Sequence, residues 1–349
     1  MTSLVALATK DALVLGCDSL GTSTKPLLDP FDLLEFFDSD FKLKKNKNGK
    51  PMLKGFSDIW NKRQDIPYSH MTHVSKLFSL SPLEMGVMTT GIASIGDRTV
   101  KSLIEEFKSK EPACQDKPKP KNYTVKGIAK KILTHFSQYL ESKYPDEKER
   151  PELEFILGGY NKQSPIPKIV RIKLPEDEVQ DTIKDWGIVF GGQMKEIQRI
   201  VFGTDWSNTL KIKRRHIELL RKYRDKINNF LKPKKVSVQI PELTMEEIQE
   251  LDMFSDKWDL DGFNANWGDL SEQNTIECVD FFVNIMIKSQ QFSYGMPTVG
   301  GEVHIALITK TDGFRFISRE EYRYGEHFVS KETEKMKIAT KILKKESTI

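Results

Sequence analysis

Thr2 would hold, once Met1 is removed, both a hydroxyl nucleophile and a free α-amine able to accept that hydroxyl's proton. One residue then supplies nucleophile and base. An α-amine has a pKa of roughly 7.7 to 8.0, so near neutral pH it is only partly deprotonated. An ammonium beside it disfavours a second positive charge and makes it a better base. Lys76 is the candidate ammonium, and Asp18 is the carboxylate that would orient it. Gly91, in Met88-Thr-Thr-Gly-Ile-Ala93, offers a backbone N–H that a substrate can approach closely, as an oxyanion donor must be.

The elements that must position these residues are legible nearby. Leu4, Ala6 and Ala8 alternate with Val5, Leu7 and Thr9, which suits a strand covered on both faces. Lys10-Asp11 makes a turn, and Ala12 to Gly16 runs back as a second apolar strand. An antiparallel hairpin returns the chain to its origin, so Asp18 is expected beside Thr2.

These residues resemble the proteasome β-subunit family and its bacterial relative, the proteasome-like threonine peptidase. Thr2, Gly16-Cys-Asp18-Ser19, Lys76 in Val74-Ser-Lys-Leu-Phe-Ser-Leu80 and Gly91 match its motifs in order, and the Thr2-to-Asp18 interval matches its length. Leu157-Gly-Gly-Tyr160 with Pro167 to Ile172, and Val299-Gly-Gly-Glu-Val-His-Ile-Ala-Leu-Ile308, are similar to later family strands. Supporting positions depart from the pattern. Leu20 stands where an Arg is usual, and Asp97 is displaced from the place after the oxyanion turn. Phe190-Gly191-Gly192 replaces the turn that carries an auxiliary Ser, and Met296 and Val299 replace an Asp and a Ser.

The resemblance implies an α+β fold, the four-layer αββα sandwich of N-terminal nucleophile hydrolases. It implies a peptidase that cleaves peptide or unfolded protein inside a homo-oligomer, with an ATP-dependent unfoldase as a possible partner and no cofactor. Two other readings stay open: a proteasome-fold scaffold or binding subunit without activity, and a small-molecule amidohydrolase. Residues 1–330 are expected to form the hydrolase domain, with insertions at about 25–72 and 204–270 and a tail at 331–349. The first insertion leaves the two catalytic strands and is expected to overhang the site, where it would restrict entry or dock a partner.

Composition bounds the rest. The chain has 349 residues, 30% of them charged, and a net charge of +4. No apolar run approaches the roughly 18 residues of a membrane span, and no signal peptide is read before Thr2, so no membrane contact and a cytoplasmic location are expected. Lysines cluster in Lys42 to Lys50 and in Lys211 to His216, but without aromatic interleaving, so no nucleic acid is expected. Cys17, Cys114 and Cys278 are too widely spaced for a zinc motif or disulfide framework, and the six histidines lack ligand spacing. Asp259 to Asn264 looks like part of a calcium loop. Aligning Gly262 with the loop's glycine puts Lys257 and Gly268 at ligand positions, so this reads as a turn.

Helices are expected over Asp97 to Lys110 and Val125 to Tyr144, where Val100, Leu103, Ile104, Phe107 and Ile128, Ile132, Phe136, Leu140 make apolar stripes. Further helices are expected from Met194, over Leu210 to Leu231, Met245 to Leu251, and Glu272 to about Ser293. Strands are expected near 154–157, 169–174, 186–190 and 234–240. The Lys- and Glu-rich tail could add a helix.

Overall fold

The computed structural model describes residues 2–28, 30–46, 49–53, 55, 58–59, 64–115, 122–232, 240–250, 265–319, 322–324 and 327–329. In chain order the strands are β1 (Ser3–Ala8), β2 (Leu13–Asp18), β3 (Gly21–Leu27), β4 (Gln64–Met71), β5 (Leu77–Ser79), β6 (Met85–Gly91), β7 (Ser94–Ile95) and β8 (Arg98–Thr99). They continue with β9 (Leu153–Tyr160), β10 (Pro167–Leu174), β11 (Glu178–Asp181), β12 (Gly187–Gly192), β13 (Val303–Thr309), β14 (Gly313–Ser318), β15 (Tyr322–Tyr324) and β16 (His327–Val329). The helices are α1 (Pro30–Leu33), α2 (Val100–Lys110), α3 (Val125–Lys143), α4 (Lys195–Phe202), α5 (Trp206–Leu231), α6 (Met245–Glu250) and α7 (Glu272–Phe292).

Two five-stranded sheets dominate, one ordered β12-β1-β2-β13-β14 and the other β11-β10-β9-β6-β5. Their strand pairs are antiparallel. The β1–β2 hairpin forms as the alternation requires, with Leu4 opposite Cys17 and Ala8 opposite Leu13.

Period-two alternation divides the apolar side chains between layers. Leu4, Ala6, Ala8, Leu13, Leu15 and Cys17 of the first sheet join Met88, Ile156 and Ile169 of the second in one cluster. Val5, Leu7 and Val14, from the opposite face of the same hairpin, pack with Ile197 of α4 and with Val279, Phe282, Val283 and Met286 of α7. Phe155, Leu157, Val170 and Ile172 of the second sheet pack with Leu103 and Phe107 of α2 and with Ile132, Phe136 and Leu140 of α3. Because β1 and β2 are covered on both faces, their sequence is apolar from Leu4 to Ala8 and from Leu13 to Cys17.

Local signals set the helix starts. Thr99, Thr124, Asp205 and Ser271 accept hydrogen bonds from Ser102, Gly127, Asn208 and Asn274 as N-caps of α2, α3, α5 and α7. Helix α2 therefore begins at Val100 and not at Asp97, because Arg98 and Thr99 pair with Ser94 and Ile95. Helix α5 begins earlier than its apolar pattern suggests, since the Asp205 cap precedes that pattern. Along its 26 residues only Thr209 is buried.

The segment expected to open the first insertion starts as a two-stranded ribbon, β3 against β4, rooted at Gly21 opposite Met71. Of the expected strand at 234–240 only Ile240 is described, and it lies outside any strand. The turn at Asp259 to Asn264 and the tail 331–349 lie outside the described residues. No helix among the described residues is long and apolar enough to cross a membrane.

Candidate functional site

Thr2 lies one residue before β1 and is 4% exposed. Its carbonyl accepts the Gln193 N–H at 2.7 Å, just past β12, which pairs with β1 from Ser3 opposite Gly192 to Ala8 opposite Gly187. Gly192 has φ +68°, and a Cβ there would sit 2.0 Å from the Thr2 carbonyl oxygen and 3.0 Å from Thr90 Oγ1. Only glycine permits this approach. Thr2 and Thr90 thus crowd the same point, which places the end of β6 next to the start of β1.

Asp18 ends β2 and is fully buried. Its Oδ1 accepts the Ser3 N–H and the Lys76 ammonium, each at 2.9 Å, while Oδ2 accepts the N–H groups of Leu20 at 3.2 Å and Gly300 at 3.1 Å. An ionised carboxylate is an acceptor only, so four donors converging on it is the arrangement that stabilises its buried charge. Lys76, immediately before β5 and 5% exposed, also donates to the Leu20 carbonyl at 2.7 Å. Of the residues singled out by chemistry, Asp18 and Lys76 are therefore bonded directly, and Thr2 is joined to them through Ser3.

Gly91 is exposed, lies opposite Leu153 of β9, and has φ +109°. A Cβ would meet the Glu152 carbonyl oxygen at 2.4 Å, so the left-handed turn at this strand end requires glycine.

Other polar groups surround this centre. Ser3 Oγ and Thr89 Oγ1 are buried without a hydrogen-bond partner among the described residues. His304 on β13 lies opposite Cys17, 3% exposed, and its Nε2 likewise has no partner among the described residues. Burial holds the His304 pKa below the usual imidazole value, with Lys76 adding to that direction and Glu302 and Asp18 opposing it. Burial pushes the Cys17 thiol well above the ordinary thiol range, so this cysteine is a packed strand residue. Glu154 lies opposite Thr90, 3.0 Å from Arg171; its burial raises its pKa and the Arg171 charge offsets part of that rise. Among the described residues no cluster of His, Cys, Asp and Glu is placed to hold a metal. A cavity of about 340 Å³ is lined by α2 and α3 residues, including Phe107, Lys131 and His135, and by none of the residues above.

The donors from Leu20, Gly300 and Gln193 have no counterpart in the sequence reading. All three are backbone N–H groups, which carry no residue-type signal. The Ser19-to-Glu302 contact, Glu302 N to Ser19 Oγ at 2.8 Å, ties the Gly300-Gly301 turn to the same place. The paired glycines before β13 are the one trace of it in the sequence.

No protein-family profile matches the chain, and no curated protein matches it. Solved structures are similar to it at low identity. One is Anbu, an ancestral β-subunit, from Yersinia bercovieri, with 10% identity, TM-score 0.42, and coverage of 91% of this chain and 88% of that one. Another is a Gly-1 mutant of Anbu from Hyphomicrobium sp. strain MC1, with 11% identity, TM-score 0.41, and coverage of 100% and 96%. A third is the helical assembly of the Anbu complex from Pseudomonas aeruginosa, with 10% identity, TM-score 0.41, and coverage of 99% and 96%.

Proposed function

We propose that this chain is a threonine peptidase built on the four-layer αββα sandwich of the N-terminal nucleophile hydrolases. The observation that carries the reading is the buried Asp18 carboxylate, which binds the Lys76 ammonium and the Ser3 N–H on one oxygen, one residue from Thr2. A lysine and an aspartate sequestered together are costly unless the charge is used or fully satisfied. Here they flank a threonine that becomes N-terminal when Met1 is removed. The three apolar clusters, one shared by the two sheets and one between each sheet and its helices, support the layered fold.

In this reading the Thr2 amine takes the proton from its own Oγ as Oγ bonds to the peptide carbonyl carbon. The Gly91 N–H stabilises the oxyanion. Collapse of the tetrahedral species breaks the C–N bond, and the proton held by the amine passes to the leaving amine. Water, deprotonated by the same amine, then hydrolyses the ester on Thr2 and frees the hydroxyl. Lys76 disfavours a charged amine, and Asp18 fixes the Lys76 ammonium in direction. Substrates are peptides or unfolded protein, and the working form is a homo-oligomer served by an ATP-dependent unfoldase. The hydrolase domain spans residues 1–330, with insertions at about 25–72 and 204–270.

Hydrolysis of short fluorogenic peptides by the Met1-free protein tests the reading. Activity that vanishes in Thr2→Ala and persists in Cys17→Ala supports it; activity unchanged by Thr2→Ala contradicts it. The turn Phe190-Gly191-Gly192, which lacks the auxiliary Ser of the resembled family, favours a second reading: a scaffold subunit of the same fold without turnover. Folded, oligomeric, Met1-free protein that hydrolyses no peptide and takes no adduct on Thr2 would establish that alternative.

A further inference from the structure

Three polar side chains that the peptide chemistry does not use meet beside Thr2. Gln193 follows Gly192, Gln290 lies in the last turn of α7, and Thr298 is buried in the segment leading to β13. Gln193 Oε1 accepts from Gln290 Nε2 and from Thr298 Oγ1, both at 3.1 Å. Gln290 Oε1 accepts the Thr298 N–H at 3.3 Å, closing a triangle among three elements distant in sequence.

The two ends of this triangle reach opposite sides of the site. At one end the Gln193 N–H holds the Thr2 carbonyl at 2.7 Å. At the other, two residues beyond Thr298, the Gly300 N–H holds Asp18 Oδ2 at 3.1 Å, and the Gly300 carbonyl accepts the Ser19 N–H at 3.2 Å. The backbone that grips Thr2 and the backbone that grips Asp18 are therefore tied to each other through side-chain amides and one hydroxyl.

We propose that Gln193, Gln290 and Thr298 form a positioning unit that fixes Thr2 relative to the Asp18–Lys76 pair. It rests on the reading of Thr2 as the nucleophile. A nucleophile held by its carbonyl keeps its amine and Oγ aimed only if the holding loop is itself fixed. The hydrogen bonds reach Thr2 at its carbonyl and Asp18 through the Gly300 N–H, so the unit acts by positioning.

The test is covalent inactivation of the full-length, Met1-free protein by a peptidyl electrophile directed at N-terminal threonine, with the inactivation rate constant and the inhibitor's binding constant separated. Thr298→Val and Gln290→Ala should each slow inactivation roughly tenfold, since small misplacements of a reacting group are expensive. Binding should change by less than about twofold, because the unit acts on attack and not on ground-state binding. Thr298→Ser, which keeps the hydroxyl, should restore the wild-type rate, which a packing role for the methyl group would not explain. The Gln290→Ala/Thr298→Val double variant should be slowed less than the product of the singles, because both break one unit. Gln290 is partly exposed on a helix, so its Ala variant keeps the proposal testable if Thr298→Val fails to fold. Wild-type inactivation rates in both single variants would overturn the proposal while leaving Thr2 as the nucleophile. Absence of any adduct in the wild type would instead overturn the reading of Thr2, and this proposal with it.

Discussion

Replacing Asp18 by Asn exchanges one carboxylate oxygen for an NH₂ group without changing shape, and the structure sets what that exchange costs. Oδ1 accepts from Ser3 N and Lys76 Nζ, and Oδ2 accepts from Leu20 N and Gly300 N. Whichever way the amide faces, its NH₂ points at two donors that had an acceptor. Each buried donor left unpaired costs about 1–3 kcal/mol, so the loss is about 2–6 kcal/mol. If the NH₂ faces Oδ1's partners, one of the stranded donors is the Lys76 ammonium, which among the described residues then keeps only the Leu20 carbonyl as acceptor. Urea titration measures the effect as a fall in midpoint at unchanged slope. Lys76→Met removes the other partner of the ion pair and should cost about 3 kcal/mol, the lower part of the range for such pairs. It belongs there because the three backbone N–H groups still hold Asp18. The double variant should cost at least about 1 kcal/mol less than the sum of the singles, because the groups share one network. A loss below about 1 kcal/mol for Asp18→Asn would refute the reasoning, since two stranded donors cannot be that cheap in a buried site.

Other outcomes follow from the same geometry. Gly192→Ala places a Cβ 2.0 Å from the Thr2 carbonyl at φ +68°, so it should destabilise the protein by about 1–3 kcal/mol. It should also slow adduct formation on Thr2 roughly a hundredfold. Phe282→Ala, emptying a fully buried position between α7 and the first sheet, should cost about 3–5 kcal/mol in urea unfolding, with no new hydrogen-bond defect. The folded-state pKa of His304 lies below its usual 6.5 because of burial, so the unfolded chain takes up the proton first as pH falls. Stability should therefore be insensitive to this group above about pH 6.5 and should decline below it, down to the depressed folded pKa. His304→Leu should flatten that decline in denaturation midpoints measured across pH. The partly buried His135, also depressed by desolvation, should retain its own share.

The first hairpin was readable because a strand covered on both faces leaves a continuous apolar signature, and its short turn fixes where Asp18 must return. Helices α2, α3 and α7 were readable from stripes that the structure buries, and only the start of α2 moves by more than one residue, where the Thr99 cap and not apolar spacing decides. The β3–β4 ribbon escaped because Thr22, Ser23 and Thr24 have no buried face to imprint alternation. Strand β14 escaped for a related reason: Phe314 and Phe316 alternate with exposed residues at a sheet edge, over too few positions to stand out. Within the candidate site, side chains with distinctive chemistry were visible, whereas the amide donors of Leu20, Gln193 and Gly300 were not. Gln193, Gln290 and Thr298 carry ordinary polar side chains, and only the meeting of three distant segments makes them a unit.

The claim on which the account turns is that Thr2 is processed to an N-terminal nucleophile. Intact and peptide mass spectrometry of the protein after exposure to a threonine-directed peptidyl electrophile tests it most directly. The account predicts an N-terminus starting at Thr2, bearing a single adduct that Lys76→Met and Thr2→Ala abolish. Retained Met1, or an adduct that persists in Thr2→Ala, would contradict it.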